Sequence, residues 1–257
     1  MSETVLTGGD LNVVVRVGDT VRRPTGPWTP AVHALLRHFV AVGFEGAPRV
    51  VGLDGDHELL TYIEGDAALA PVPAADEVVA GIGAFLRRMH DAQEGFALGA
   101  RGPWQRMVGA PSTGEVVCHN DLFWTNLVFR DGALVGLVDW DLAAPAPRLF
   151  DLASAANFWV ALRPDDQCEA WGVPCDRRRE RLGLLLDGYE LPRAERPSLL
   201  EAIEQKTAAG LATYRRWGRD ERRPGWAELW DRDQDRYLVA RQEWLEARRA
   251  EVRAWLS

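Results

Sequence analysis

The feature that most constrains this chain is the stretch Val116–Asp141, V-V-C-H-N-D-L-F-W-T-N-L-V-F-R-D-G-A-L-V-G-L-V-D-W-D. Asp121 and Asn126 stand five positions apart between two apolar β-type runs, which places them on a loop joining strands. The turn pair Asp131-Gly132 predicts a hairpin from Leu127–Arg130 to Leu134–Asp139, with Asp139 at its end, thirteen positions beyond Asn126. An amide oxygen and a carboxylate delivered from neighbouring strand ends can converge on one hard cation. Magnesium takes such oxygen ligands and keeps several waters, so two protein ligands plus phosphate oxygens suffice. Asp121, left off the metal, can orient a hydroxyl and accept its proton. That division of labour suits phosphoryl transfer, in which positioning and charge neutralisation dominate.

The rest of the chain decides what surrounds this segment. At 257 residues it can form one large domain or two lobes about a cleft, and it can bury a substantial core. The net charge of −8 disfavours a nucleic-acid partner, because phosphate backbones need clustered Lys and Arg. Arg177–Arg179 and Arg222–Arg223 are short basic runs diluted by acids, and read as solvated helix faces. An acidic surface suits a cationic small molecule. Cys118, Cys168 and Cys175 lack zinc-ligand spacing; Cys168 and Cys175 are near enough to pair, but a reducing cytoplasm fits better. Neither a charged-then-apolar leader nor a membrane-length apolar run is present, so the expectation is a cytoplasmic protein with no membrane partner.

Along the chain, β-type runs come first. Val13–Val17 and Thr20–Arg23 flank Gly18-Asp19 and predict a hairpin. Thr29-Pro30 reads as an N-cap with proline in the first turn of a helix over Ala31–Val42. Strands follow near Arg49–Leu53 and Glu58–Ile63, and the Glu64-Gly65-Asp66 turn ends the segment. Beyond it the periodicity is helical: Asp76–Asp91 carries Val79, Ile82, Phe85, Leu86 and Met89 as one stripe. Asp233–Leu256 reads as one long closing helix, free to pack on its own lobe or on a second copy, so oligomeric state stays open. The expected architecture is α+β and two-lobed. Residues 1–65 form a small antiparallel β-sheet lobe for nucleotide, and 66–257 a mostly helical lobe with the catalytic loop and substrate site.

Taken singly, Asp121, Asn126, Asp139 and Asp141 are ordinary turn caps and strand-end acids. Together they follow the order His-x-Asp-x-x-x-x-Asn, hairpin, Asp, which is the protein-kinase order. On these residues the chain resembles the aminoglycoside phosphotransferase and choline kinase branch of the kinase-like superfamily. Leu86–Ala92 (L-R-R-M-H-D-A) resembles the helix end before that family's catalytic loop, and Asp151 in R-L-F-D-L-A-S its loop-steadying aspartate. The resemblance implies a protein-kinase-like fold, with Asp121 as catalytic base and His119 as organiser of the loop. It implies Asn126 and Asp139 as magnesium ligands, Asp141 as an extra metal ligand or an acid behind them, and ATP or GTP as phosphate donor.

The nucleotide side follows the same resemblance less closely. Gly8-Gly9-Asp10-Leu11-Asn12 stands where a phosphate-covering turn belongs, with Gly9 and Asn12 toward the phosphates. The third-strand lysine of the family is absent: T-V-R-R-P supplies Arg22 or Arg23, on opposite faces, and Arg22 aligns better. The helix glutamate that would pair with that lysine is missing too, with Val32 or His33 in its region. Tyr62, Ile63 and Glu64 match the hinge, whose backbone would hold the purine edge, with Thr61 guarding the pocket behind.

For the acceptor, Trp159, Trp171, Trp217, Trp226, Trp230 and Trp244 lie near Asp165, Asp166, Glu169 and Asp187 in sequence. With Trp124, they offer aromatic faces that can receive an ammonium group or simply pack the core. Aminoglycosides and other antibiotics, choline-like amines and sugars all fit as acceptors, and a small-molecule kinase is the reaction class expected. The alternative is a non-catalytic immunity or binding protein on the same scaffold. The missing lysine and glutamate motivate it, as does a likeness of G-D-T-V-R-R-P-T-G-P-W-T-P to trifolitoxin-immunity-like chains.

Overall fold

The structure, a computed structural model, describes residues 3–6, 14–67, 75–98 and 102–257. Valine-rich runs form β1 (Glu3–Leu6), β2 (Val14–Val17) and β3 (Thr20–Pro24), and Val17 pairs directly with Thr20 across the Gly18-Asp19 turn. The phosphate-covering turn with Gly9 and Asn12 lies outside the described residues. Helix α1 (Thr29–Ala41) starts one residue earlier than the sequence suggests: Thr29 is already helical, and its Oγ1 accepts the Gly26 N–H at 2.9 Å. Strands β4 (Val50–Asp54) and β5 (His57–Thr61) complete an antiparallel sheet in the order β1-β2-β3-β5-β4. The buried stripe of α1 (Val32, Leu35, Leu36 and Phe39) joins the main core.

A short β6 (Asp66–Ala67) leads to α2 (Asp76–Asp91), whose bounds match the sequence reading. Strand β7 (Val116–Cys118) pairs with β10 (Ala144–Ala146), while β8 (Leu127–Arg130) and β9 (Ala133–Leu137) form the expected hairpin beside β6. The remainder is helical: α3 (Arg148–Ala155), α4 (Asp165–Trp171), α5 (Arg178–Gly188), α6 (Leu199–Thr213), α7 (Trp226–Asp231), α8 (Asp235–Ala247) and α9 (Arg249–Trp255). The architecture is therefore two-lobed and α+β.

Helices α2 and α5 meet at glycines. A Cβ on Gly83 would run into the Leu185 carbonyl, and one on Gly188 into the Ala80 carbonyl, so only glycine permits this approach. The contact anchors α2, whose last turn carries His90 toward the loop after β7. The single closing helix expected from the sequence is two. Arg248 leaves helical geometry (φ −110°, ψ 15°), which turns Val252 and Leu256 of the last segment into the core. Wider π-helical turns extend α3 through Ala156–Val160 and α6 through Tyr214–Asp220. Such turns add a residue to the helical repeat and redirect the side chains beyond it; both abut the cleft. No helix among the described residues is long and apolar enough to cross a membrane. The three cysteines are free.

Candidate active site

The loop after β7 is held from below by one buried carboxylate. Asp151 accepts the backbone N–H of His119 and of Asn120, each at 2.8 Å, and its Oδ2 lies 3.2 Å from His90 Nε2. Burial alone would raise this carboxyl. The His90 contact and the Asn120 N–H outweigh it and hold the group below the ordinary carboxylate range. His119 is fully buried. Its Nδ1 accepts the Asp121 N–H at 3.3 Å, so the ring proton sits on Nε2, which faces the Val138 carbonyl at 3.0 Å. Burial, the largest influence, lowers its pKa and keeps it neutral. His119 therefore ties the loop to the end of β9 and lines none of the three cavities described below; it positions Asp121.

Asn126 gives its amide nitrogen to Asp121, at 2.9 Å to Oδ2 and 3.1 Å to the backbone oxygen. What remains to offer a cation is its Oδ1. Asp139 adopts a left-handed conformation (φ 61°, ψ 70°) that lifts its carboxylate off the hairpin. Asp121 is pushed up to about 6, by burial first and by the Asp139 charge second, against relief from Lys206 and Asn126. Asp141 is pushed up to about 6 by burial, opposed by Arg23. Trp28 also reaches Asp141, donating its indole N–H at 3.0 Å.

Of the two neighbouring arginines, Arg23 and not Arg22 enters the slot between the lobes. Arg22 turns to the outer face of the sheet, onto Asp54 at 3.0 Å and His57 at 3.1 Å. Arg23 is buried, and its Nη2 lies 3.0 Å from Asp139 Oδ1 and 2.5 Å from Asp141 Oδ2. Its Nε is 3.4 Å from Glu58 Oε1, the residue directly opposite on β5, and Glu58 in turn meets His33 Nε2 at 2.5 Å. The acid beside Arg23 is thus a strand residue, and α1 contributes His33 to steady it.

Three cavities meet at this cluster. An apolar slot of about 220 Å3 lies between the lobes, lined by Val21, Leu60, Thr61, Tyr62 and Ile63, with Arg23, Asn126 and Asp139 at its inner end. Glu64 stays outside it, paired with Arg16 at 2.5 Å. Of the hinge backbone, the Tyr62 N–H is given to the Asp19 carbonyl, and the Glu64 carbonyl accepts from Arg130. A second cavity of about 280 Å3 opens on the helical side, with Asp121, Asn126 and Asp139 as its floor and Phe158, Trp171, Tyr214 and Tyr237 among its walls. A third, about 250 Å3, runs from Trp28 and Asp141 to Trp226. Asp139 lines all three, whereas Asp121 faces only the two outside the slot.

Residues 109–185 match the phosphotransferase enzyme family. The trifolitoxin immunity protein of Rhizobium leguminosarum bv. trifolii is 34% identical over 261 residues, covering 95% of this chain and 98% of the relative. The chain belongs to the same family as this immunity protein. Solved structures of more distant proteins share its fold. Amicoumacin kinase hAmiN, in complex with AMP-PNP, Ca2+ and Ami, superposes with a TM-score of 0.65 at 12% identity, over 94% of this chain and 88% of that one. A choline/ethanolamine kinase family protein from Mesorhizobium loti gives 0.60 at 19% identity, over 100% and 92%.

In this chain, Lys206 is a loop support that sequence reasoning passed over. It is the only lysine present, and its buried Nζ donates to the Asn120 carbonyl at 2.5 Å. Burial lowers it to about 8, and the charges of Asp151 and Asp121 counter that. A lone lysine in an arginine-rich chain is itself the signal.

Asp151→Ala would leave two backbone N–H groups and His90 without their acceptor. The expected loss is about 3–5 kcal/mol at neutral pH, roughly a 10 °C drop in Tm. The pKa of Asp151 is depressed in the fold, so its stabilisation is present above the unfolded value of about 4 and is lost as pH falls through the lower folded value. The Tm gap between variant and wild type should therefore narrow below about pH 4. Thermal melts across pH check this; a gap that widens in acid would refute it.

Proposed function

We propose that this chain transfers the γ-phosphoryl group of ATP or GTP to a hydroxyl of a small molecule. The observation that carries the reading is the placement of Asp139 and Asn126 at the junction of an apolar inter-lobe slot and an aromatic cavity, with Asp121 on the cavity side alone. The slot takes the base and ribose, and residues 1–65 serve as the nucleotide lobe against 66–257. The donor set of carboxylate and amide oxygens fits a hard divalent ion, which is tested by chemistry: Asn126 has no nitrogen left to offer, and its oxygen and the Asp139 carboxylate remain. Magnesium bound there by Asn126 and Asp139, with Asp141 alongside, would neutralise phosphate charge.

Arg23, fixed by Glu58, faces the phosphates as the counterpart of the missing lysine. Asp121 aligns the acceptor hydroxyl and takes its proton. A bond forms from the acceptor oxygen to the γ-phosphorus as the bond to the β–γ bridging oxygen breaks, and nucleoside diphosphate leaves. Such chemistry belongs in the cytoplasm, where nucleotide and magnesium are plentiful. The relative's name supports a protective role, with an antimicrobial compound inactivated by phosphorylation. The retained trio of Asp121, Asn126 and Asp139 favours this over an immunity protein that merely binds. Incubating the protein with magnesium, γ-labelled ATP or GTP and a panel of hydroxylated antibiotics and metabolites should move label into one acceptor. Failure of any label to leave the nucleotide, in a panel that includes compounds shown to bind, would overturn the enzyme reading.

A further inference from the structure

The acceptor cavity has aromatic walls, as expected, but its charge is the opposite of that expected. Asp165 is paired with Arg178 at 2.7 Å and Asp187 with Arg196 at 2.5 Å, and neither lines the cavity, nor do Asp166 and Glu169. Among its described lining residues the only carboxylates are Asp121 and Asp139, whereas three arginines, Arg163, Arg232 and Arg241, reach it. Two of these are deeply buried: Arg163 is 1% exposed and Arg241 6%. Neither forms an ion pair among the described residues; Arg163 gives one Nη2 N–H to the Asn157 carbonyl, but the Nε of each has no hydrogen-bond partner. Arg163 lies over the Trp171 ring at 4.0 Å, and both guanidinium groups lie against Phe158, at 5.6 and 5.7 Å. The protein's own cations thus occupy two of the aromatic faces, Phe158 and Trp171, that a cationic substrate could use.

Two like charges held side by side, buried and short of acceptors, destabilise the empty fold unless an anion answers them. Burial and the Arg241 charge pull Arg163 well below its ordinary range, and burial takes Arg241 to about 10. Arg163 has one structural acceptor in the Asn157 carbonyl, whereas a long apolar side chain would fill the place of Arg241 against Phe158. An oxyanion would supply the missing acceptors, and the planar guanidinium fork suits one.

We infer that the acceptor is a hydroxy compound bearing an oxyanion, such as a carboxylate, on a flat apolar body, with the anion against Arg163 and Arg241 and the hydroxyl toward Asp121. The hydroxyl half of this rests on the phosphotransferase reading; the anion half is a property of the cavity alone.

The test uses three probes of one skeleton, 3-phenyllactate, its carboxamide, and the amino alcohol phenylalaninol, titrated into the full-length protein by calorimetry without nucleotide. The acid should bind at least about tenfold tighter than the amide, and the amine weakest. Arg241→Met should erase that preference and, because it relieves a buried charge, raise Tm. Arg163→Gln should also reduce the preference. A preference for the amine, no measurable binding of the acid at millimolar concentration, or an unchanged preference in a folded Arg241→Met protein would overturn the inference. A parallel magnesium–nucleotide titration separates the two proposals: nucleotide binding without anion preference rejects this one, and the reverse rejects the kinase reading.

Discussion

Asp121→Asn is expected to lower turnover by about 10^2–10^4-fold, the range for loss of a positioned general base. The substitution keeps an oxygen for Asn126 Nδ2, which now bonds Asp121 at 2.9 Å, and removes a charge that Asp139 repels. The fold should therefore be at least as stable as wild type, the usual relation between an active-site group and stability. Nucleotide affinity should hardly change, because Asp121 lines the two outer cavities and not the slot. Single-turnover transfer to an established acceptor, with nucleotide binding measured alongside, checks both halves. Wild-type rates would remove Asp121 from the reaction.

Asp139→Asn should act differently. Asparagine tolerates the left-handed backbone at φ 61°, so the hairpin end should survive. What changes is charge: Arg23 loses one of its carboxylate partners, and the site loses its anionic ligand. Magnesium should then no longer tighten nucleotide binding, and transfer should fall by at least the factor expected for Asp121→Asn. Binding in the absence of metal should stay near wild type, since the apolar slot walls are untouched.

Much of this arrangement was legible in the sequence because it is local. Two apolar runs, one turn pair and a few spaced polar residues predict the hairpin and its carboxylate with no knowledge of the rest. The choice between Arg22 and Arg23 was harder, but it too had a local key. Val21 and Arg23 share a face by the period of two, and Val21 and Leu60 line the slot together. Reading the strand from its apolar residue outward selects Arg23. Glu58 follows by the same alternation from Leu60.

Other features are not local. Glu58 stands beside Arg23 only because β5 lies beside β3, a pairing that joins residues 35 positions apart. Arg163 and Arg241 come from segments far apart in the chain, and they meet at Phe158 because a π-helical turn carries that ring into the cavity. Sequence proximity of tryptophan to Asp165 and Asp187 suggested an ammonium site, yet those carboxylates are held by Arg178 and Arg196. Pairing in space, not nearness in sequence, decides which charges a substrate meets. The break at Arg248 is likewise set by where Val252 and Leu256 find the core.

The claim on which the rest depends is that Asn126 and Asp139 hold a divalent ion against a nucleotide at the inner end of the slot. Calorimetric titration of a non-hydrolysable ATP or GTP analogue, with magnesium and with chelator, tests it directly. Binding to wild type that tightens at least about tenfold with magnesium, and a loss of that gain in Asp139→Asn, is the predicted result. Equal affinity with and without the metal, or no binding of either nucleotide, would contradict it.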